Sequence, residues 1–214
     1  MNEWEFLLAT EGLDDDLRDH ISHHRANVTE PCSLLEMPIK CDWRIAIENT
    51  LEEQHVPHVH PESIHKLGIK IHDIERHGKH SLAHYRITNK KALKSLEALS
   101  LWFPHAEFDY YFHLYLYPYT CLSSVGGFTY SIQHYLPTEE GTTLLRSTLY
   151  ASHTAPGSPS LDFFFDSAAE FNKQVFEEDA RMCERVKRIR CETGRTMPEH
   201  LRRLQWFRDA REAG

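Results

Sequence analysis

No run of apolar residues approaches the roughly 18 that a membrane-spanning helix needs, and the opening Met1-Asn-Glu-Trp-Glu is not a signal peptide. A soluble, cytoplasmic protein is therefore expected. Lys and Arg nowhere cluster with aromatics, and the formal charge is −8. Phosphate backbones would find no local cation, which argues against nucleic acid and favours a small molecule or a protein as partner. The five cysteines, Cys32, Cys41, Cys121, Cys183 and Cys191, are odd in number and show no CxxC or CxH spacing. This fits reduced thiols better than a disulfide framework or an iron–sulfur site. No Pro/Gly/Ser-rich linker, internal repeat or low-complexity segment divides the 214 residues, so they are read as one domain with a sizeable core.

Charge is unevenly spread. Residues 1–50 hold eleven acids against four Lys/Arg, whereas residues 181–214 hold ten Lys/Arg against five acids. The asymmetry allows head-to-tail contact between subunits, although two solvated helical faces are the more ordinary explanation. A strand-like 4-WEFLLA-9 precedes an acid-led helix in 13-LDDDLRDHISHH-24, and a polar connection with Pro31 and Pro38 follows. In 42-DWRIAIENTLEEQH-55, Asp42 is a suitable N-cap and Trp43, Ala46, Ile47, Thr50 and Leu51 form a helical stripe. Pro57 opposes its continuation. Strands are expected at 67–78, 80–87, 107–118, 127–137 and 142–152, with a helix at 90–103, a long helix at about 166–193 and a shorter one at 198–210. The order predicts an α+β domain whose antiparallel sheet curls round the long C-terminal helix.

Chemistry concentrates in 48-ENTLEEQHVPHVHP-61. On a helix, Glu48, Glu52 and His55 share one face, and His60 lies just beyond its end, so His55 and His60 can converge. His58 is less easily placed. The pair 58-HVH-60 with Glu62 looks like a cupin metal strand, but Pro61 and missing glycine turns oppose this, and no Asp-His follows to complete a zinc-hydrolase HxHxDH. Solvated histidines in a chain with sixteen of them remain an ordinary explanation. In 171-FNKQVFEEDARMCERVKRI-189, however, Phe171, Val175, Met182, Val186 and Ile189 share a stripe with Asp179, while Glu177 and Glu178 read as solvated. An inward carboxylate needs a cation or strong donors, and a salt bridge to an inward Arg would serve too. With His55 and His60, Asp179 completes two histidines and a carboxylate, a set that leaves about half of an octahedral iron open.

The segment 42-DWRIAIENTLEEQHVPHVHP-61 resembles the NWK-x3-EN-x2-(D/E)-x-x-H-x4-HP signature of Rieske-type ring-hydroxylating oxygenase large subunits. The later 177-EEDARMCERVKR-188 resembles the family's second signature, and 117-YPYTCLSSVGGFTYSIQHYLPTEEGTTLLRSTLY-150 is similar to its sheet pattern. The resemblance implies a helix-grip (START/SRPBCC-like) catalytic domain. It also implies that one Fe(II) per chain is held by His55, His60 and Asp179. Asn49 would lie near the iron, and Glu52 would bridge it to the Rieske cluster of a neighbouring subunit. Departures are Gln54 where an aromatic is usual, Lys187 for a glutamine, His58 at an apolar position, and the absence of any CxH or CxxH that could hold a [2Fe–2S] cluster.

The expectation is the iron-bearing part of a split oxygenase that hydroxylates or demethylates a small, hydrophobic or aromatic substrate with O₂. Electrons would come from a separate Rieske protein and reductase, and the assembly would be a homo- or hetero-oligomer, trimer-based as one possibility. A redox-silent ligand-binding or scaffolding subunit and a metal hydrolase using Glu52 as base are the competing readings. The substrate is not readable, because Tyr110, Phe112, His113, Tyr115, Tyr130 and His134 leave the inward set open by one residue of register.

Overall fold

Apolar side chains alternate along the central strands so that the sheet feeds two cores, one on either face. The computed structural model describes residues 2–186 and 201–212. Its elements are α1 (Glu3–Leu8), α2 (Asp15–Arg25), β1 (Val28–Ile39), α3 (Trp43–Leu51), α4 (Val56–Val59), a 3-10 turn (Ile64–Leu67), β2 (Ile69–His77), β3 (His80–Ile87), α5 (Lys90–Ser100), β4 (Tyr110–Leu116), β5 (Thr120–Val125), β6 (Thr129–Pro137), β7 (Thr143–Ser152), α6 (Asp162–Cys183) and α7 (Arg202–Glu212). The seven strands form one antiparallel sheet in the order β1-β7-β6-β5-β4-β3-β2. It is the α+β helix-grip arrangement, with α6 as the long helix.

On β4, Phe112, Leu114 and Leu116 point to the face covered by Trp4 and Leu7 of α1 and by Leu17 and Ile21 of α2. Tyr115 points to the other face, where Ile47 and Leu51 of α3 pack with Phe176 of α6 and Phe207 of α7. Each such large side chain removed from water contributes about 1.5–3 kcal/mol, so both layers hold the sheet. The register question is thereby closed: His113 and Tyr115 face α3 and α6, whereas Phe112 and Tyr130 face α2. Tyr110 packs against that same α2-side core. His134 also lies on that side, against Phe6 and Glu3.

Several local expectations are corrected. The segment 4–9 is helical, because Asn2 and Glu5 form a reciprocal capping box and Trp4 and Leu7, three apart, are both buried. The stretch with Pro31 and Pro38 is the twelve-residue strand β1. It lies at the sheet edge, where a missing N–H is tolerated, and its pairing slips around Pro31. β5 is a strand in a stretch for which no element was expected. The helix from Asp42 ends at Leu51, with Glu52 in extended backbone, and Pro57 opens the new turn α4 in its first positions rather than merely stopping the old one. Glu48, Glu52 and His55 therefore do not share a helical face. Glu48 instead receives the Arg208 guanidinium of α7, with Nε at 3.0 Å and an Nη at 2.8 Å. Lys187, Ile189, Cys191 and the predicted helix end near 193 lie outside the described residues.

Candidate metal centre

The centre is built on the break between α3 and α4. His55 occupies the residue before α4 and His60 the residue after it, so one short turn brings the two rings together at 5.2 Å between centroids. Asp179 comes from α6. Its Oδ1 lies 3.0 Å from His60 Nε2 and 3.5 Å from His55 Nε2. One ligand atom from each of His55, His60 and Asp179 falls within 4.8 Å of the others. Neighbouring ligands of an octahedral first-row ion, at ~2.1 Å from it, sit ~3 Å apart, so the set fits such an ion with little adjustment. Asp179 lines the cavity with Phe171 and Val175 of its stripe, while the fully buried ridge of α6 is Phe176, Ala180 and Cys183.

Each of the three candidate ligands is oriented by a second group. Glu52 accepts the backbone N–H of His55 at 3.1 Å and that of Gln54, and its Oε2 lies 3.3 Å from His55 Nδ1. Burial pushes the Glu52 carboxyl up, but the His55 ring and the two amides outweigh it and hold the group below the usual carboxylate range. As an ionised acceptor it keeps the proton on Nδ1 of His55 and turns Nε2 toward Asp179.

His60 is treated the same way by Glu178, at 2.7 Å from Nδ1. Glu178 also accepts Ser63 Oγ at 2.7 Å and Gln174 Nε2 at 2.8 Å. It is thus a half-buried orienting group and not the solvated acid read from helical faces. The sequence signal was its spacing of four from Gln174, but nothing local pointed to His60. Burial lowers the His60 pKa, and the Asp179 and Glu178 carboxylates outweigh that effect to raise it.

Asn49 Nδ2 donates to Asp179 Oδ1 at 2.8 Å, and among the described residues its own buried Oδ1 has no partner. It therefore lies beside the Asp179 carboxylate. His58 is exposed and stands apart from this group. His55, His60, Asp179 and Glu52 border a cavity of about 380 Å³ between the sheet and α6. Its walls include Tyr85, Tyr111, Phe128 and Phe164, and Glu53, missed in the sequence, accepts the Tyr85 hydroxyl at 2.5 Å. Phe128 is seated by the Gly126-Gly127 turn, where both residues have positive φ and a Cβ on Gly126 would run into its ring.

Comparison with known proteins agrees with this architecture. The fold is similar to the quaternary ammonium Rieske monooxygenase CntA, at 14% identity and TM-score 0.58 over 79% of this chain and 44% of that one. It is also similar to NdmA and NdmB of Pseudomonas putida CBB5, at 13% and 11% identity and TM-score 0.52, covering 84% of this chain and 49% of each. The chain thus spans less than half the length of these proteins. No curated protein matches the sequence. No helix among the described residues is long and apolar enough to cross a membrane. Residues 15–200 match the family described as ring hydroxylating alpha subunit (catalytic domain), and with that match over most of its length the chain belongs to this family.

Proposed function

We propose that this chain is the mononuclear-iron catalytic domain of a Rieske-type oxygenase, hydroxylating or demethylating a small hydrophobic or aromatic substrate. The observation that carries it is the convergence of His55, His60 and Asp179 at the edge of a largely apolar cavity. His55 and His60 would bind Fe(II) through Nε2 and Asp179 through its carboxylate; the bound ion supplies O₂ activation at its open positions. Glu52 and Glu178 fix the two imidazoles in the tautomer that leaves Nε2 free, and Asn49 holds the Asp179 carboxylate by its amide. The aromatic walls exclude water and orient the substrate.

No CxH or CxxH occurs in these 214 residues, so the electrons come from a Rieske cluster that the sequence does not carry, with a reductase behind it. Glu52, whose side chain is 22% exposed, touches His55 and still reaches the surface, which supports it as the contact for that donor. The protein acts as part of an oligomer. The test is anaerobic Fe(II) loading followed by O₂ uptake with and without a Rieske protein and its reductase. About one iron per chain, lost in His55→Ala and Asp179→Ala, with uptake only when the Rieske protein is present, is expected. Full turnover with a chemical reductant alone would remove the separate donor. A metal-free protein that still binds small molecules would leave a redox-silent binder.

A further inference from the structure

The sheet wall of the cavity is polar in a way that the metal centre does not require. His113, Ser123 and Ser131 stand side by side across β4, β5 and β6, in direct register. Gln133 Nε2 donates to the hydroxyls of Ser123 and Ser131, each at 3.0 Å. Ser131 Oγ meets Ser147 Oγ at 3.1 Å, and Asn172 Nδ2 of α6 donates to the same Ser147 at 3.1 Å. A hydrogen-bonded row therefore runs from the sheet to α6, and all of its members except Ser147 line the cavity.

The row has unused capacity. Among the described residues, the side-chain carbonyls of Gln133 and Asn172 accept no hydrogen bond. His113 is 6% exposed, and among the described residues its buried ring nitrogens have no partner. Burial pushes its pKa far below the ordinary value, with the Arg203 guanidinium adding to the effect, so it backs the row as a neutral imidazole. A bound donor that meets either carbonyl gains about 0.5–1.5 kcal/mol for each hydrogen bond.

Charge narrows the class. Among the described residues the lining includes Glu52, Glu53 and Asp179 but no Lys or Arg, so a carboxylate substrate would meet no cation there. Arg203 lies outside the lining and is spent on Ser81 and on the His113 carbonyl. Asn172 stands seven residues before Asp179 on the same helix, which is roughly 10 Å along its axis. We propose, resting on the oxygenase reading above, that the substrate is an uncharged compound whose amide N–H or hydroxyl group is anchored on the side-chain carbonyls of Gln133 and Asn172. Its apolar part then extends roughly 10 Å toward Asp179. The polar row is a specificity device: it selects a neutral hydrogen-bonding group and sets which end of the molecule approaches the metal ligands.

The test is calorimetry on the full chain with four probes: 2-quinolone, naphthalene, 2-naphthoate and trimethylanilinium. Two satisfied hydrogen bonds predict that 2-quinolone binds about tenfold tighter than naphthalene, with 2-naphthoate and trimethylanilinium weaker than 2-quinolone. In Asn172→Leu, on the half-buried face of α6, and in Gln133→Met, the preference falls to about twofold while naphthalene affinity is unchanged. His55→Ala keeps the preference, because binding on the row needs no metal. A preference that survives both row variants, tighter binding of the anion or the ammonium, or no quinolone binding at about 1 mM overturns the proposal. If the preference fails while iron loading and O₂ uptake persist, only the substrate class is wrong. If the preference holds in a protein without iron or O₂ uptake, only the oxygenase reading is wrong.

Discussion

Replacing Glu178 by glutamine isolates one charge next to the proposed metal ligands. In the native protein its Oε2 accepts from His60 Nδ1 at 2.7 Å and from Ser63 Oγ at 2.7 Å, while Oε1 accepts from Gln174 at 2.8 Å. Burial raises the Glu178 pKa, but those three donors outweigh it and hold the carboxyl below its ordinary range, so it is ionised at neutral pH. A carboxamide has the same shape: its oxygen can serve His60 and Ser63, and its NH₂ can face Gln174 if that amide turns over. What is lost is the charge assistance, about 1.5–3 kcal/mol for a bond to an ionised acceptor against about 0.5–1.5 for a neutral one. The difference, ~1–1.5 kcal/mol, predicts that Glu178→Gln binds Fe(II) or Co(II) about tenfold more weakly, at the lower edge of the range for outer-shell partners. Anaerobic titration against a competing chelator measures it, with Glu177→Gln as the control expected to stay within about twofold. Wild-type affinity in Glu178→Gln would show that the carboxylate does not set the basicity of His60. A loss as large as that of His60→Ala would show collapse of the site and not a change in one ligand.

His20 and His24 sit on α2 over the sheet, and burial, with neighbouring histidines adding to it, pushes their pKa values down to about 4 and about 3. Both groups are neutral in the folded state and protonate near 6.5 when unfolded, so their effect is absent above that value and stability falls as pH drops below it. At pH 5 the two together cost up to ~4 kcal/mol, and the urea midpoint should fall between pH 7.5 and 5 in wild type but less in His20→Phe/His24→Phe. An unchanged wild-type midpoint would contradict this. Arg203, 2% exposed, donates to Ser81 and to the His113 carbonyl, so Arg203→Ala should cost about 3 kcal/mol in urea denaturation by stranding those acceptors. Gly126→Ala should cost about 1–3 kcal/mol through its positive φ and its collision with Phe128, and should weaken naphthalene binding with metal affinity retained.

Sequence by itself determined the α+β order, the three residues His55, His60 and Asp179 that converge, and the placement of Asn49 and Glu52 beside them. The α+β order is legible because helical stripes and caps are local patterns with fixed spatial periods, His55, His60 and Asp179 because they are a chemically matched set, and Asn49 and Glu52 only through the resemblance of residues 42–61 to the family signature. Tertiary structure alone decided the rest. β1 reads as a polar loop until an edge position relieves its prolines of ladder bonds. The strand aromatics divide between faces only once pairing fixes a register whose one-residue shift would exchange them all. Glu178 looks solvated on an isolated helix and becomes a ligand-orienting acid because Ser63 and His60, more than a hundred residues away, close over it. The polar row from His113 to Asn172 assembles from four strands and a helix, so no window of sequence contains it.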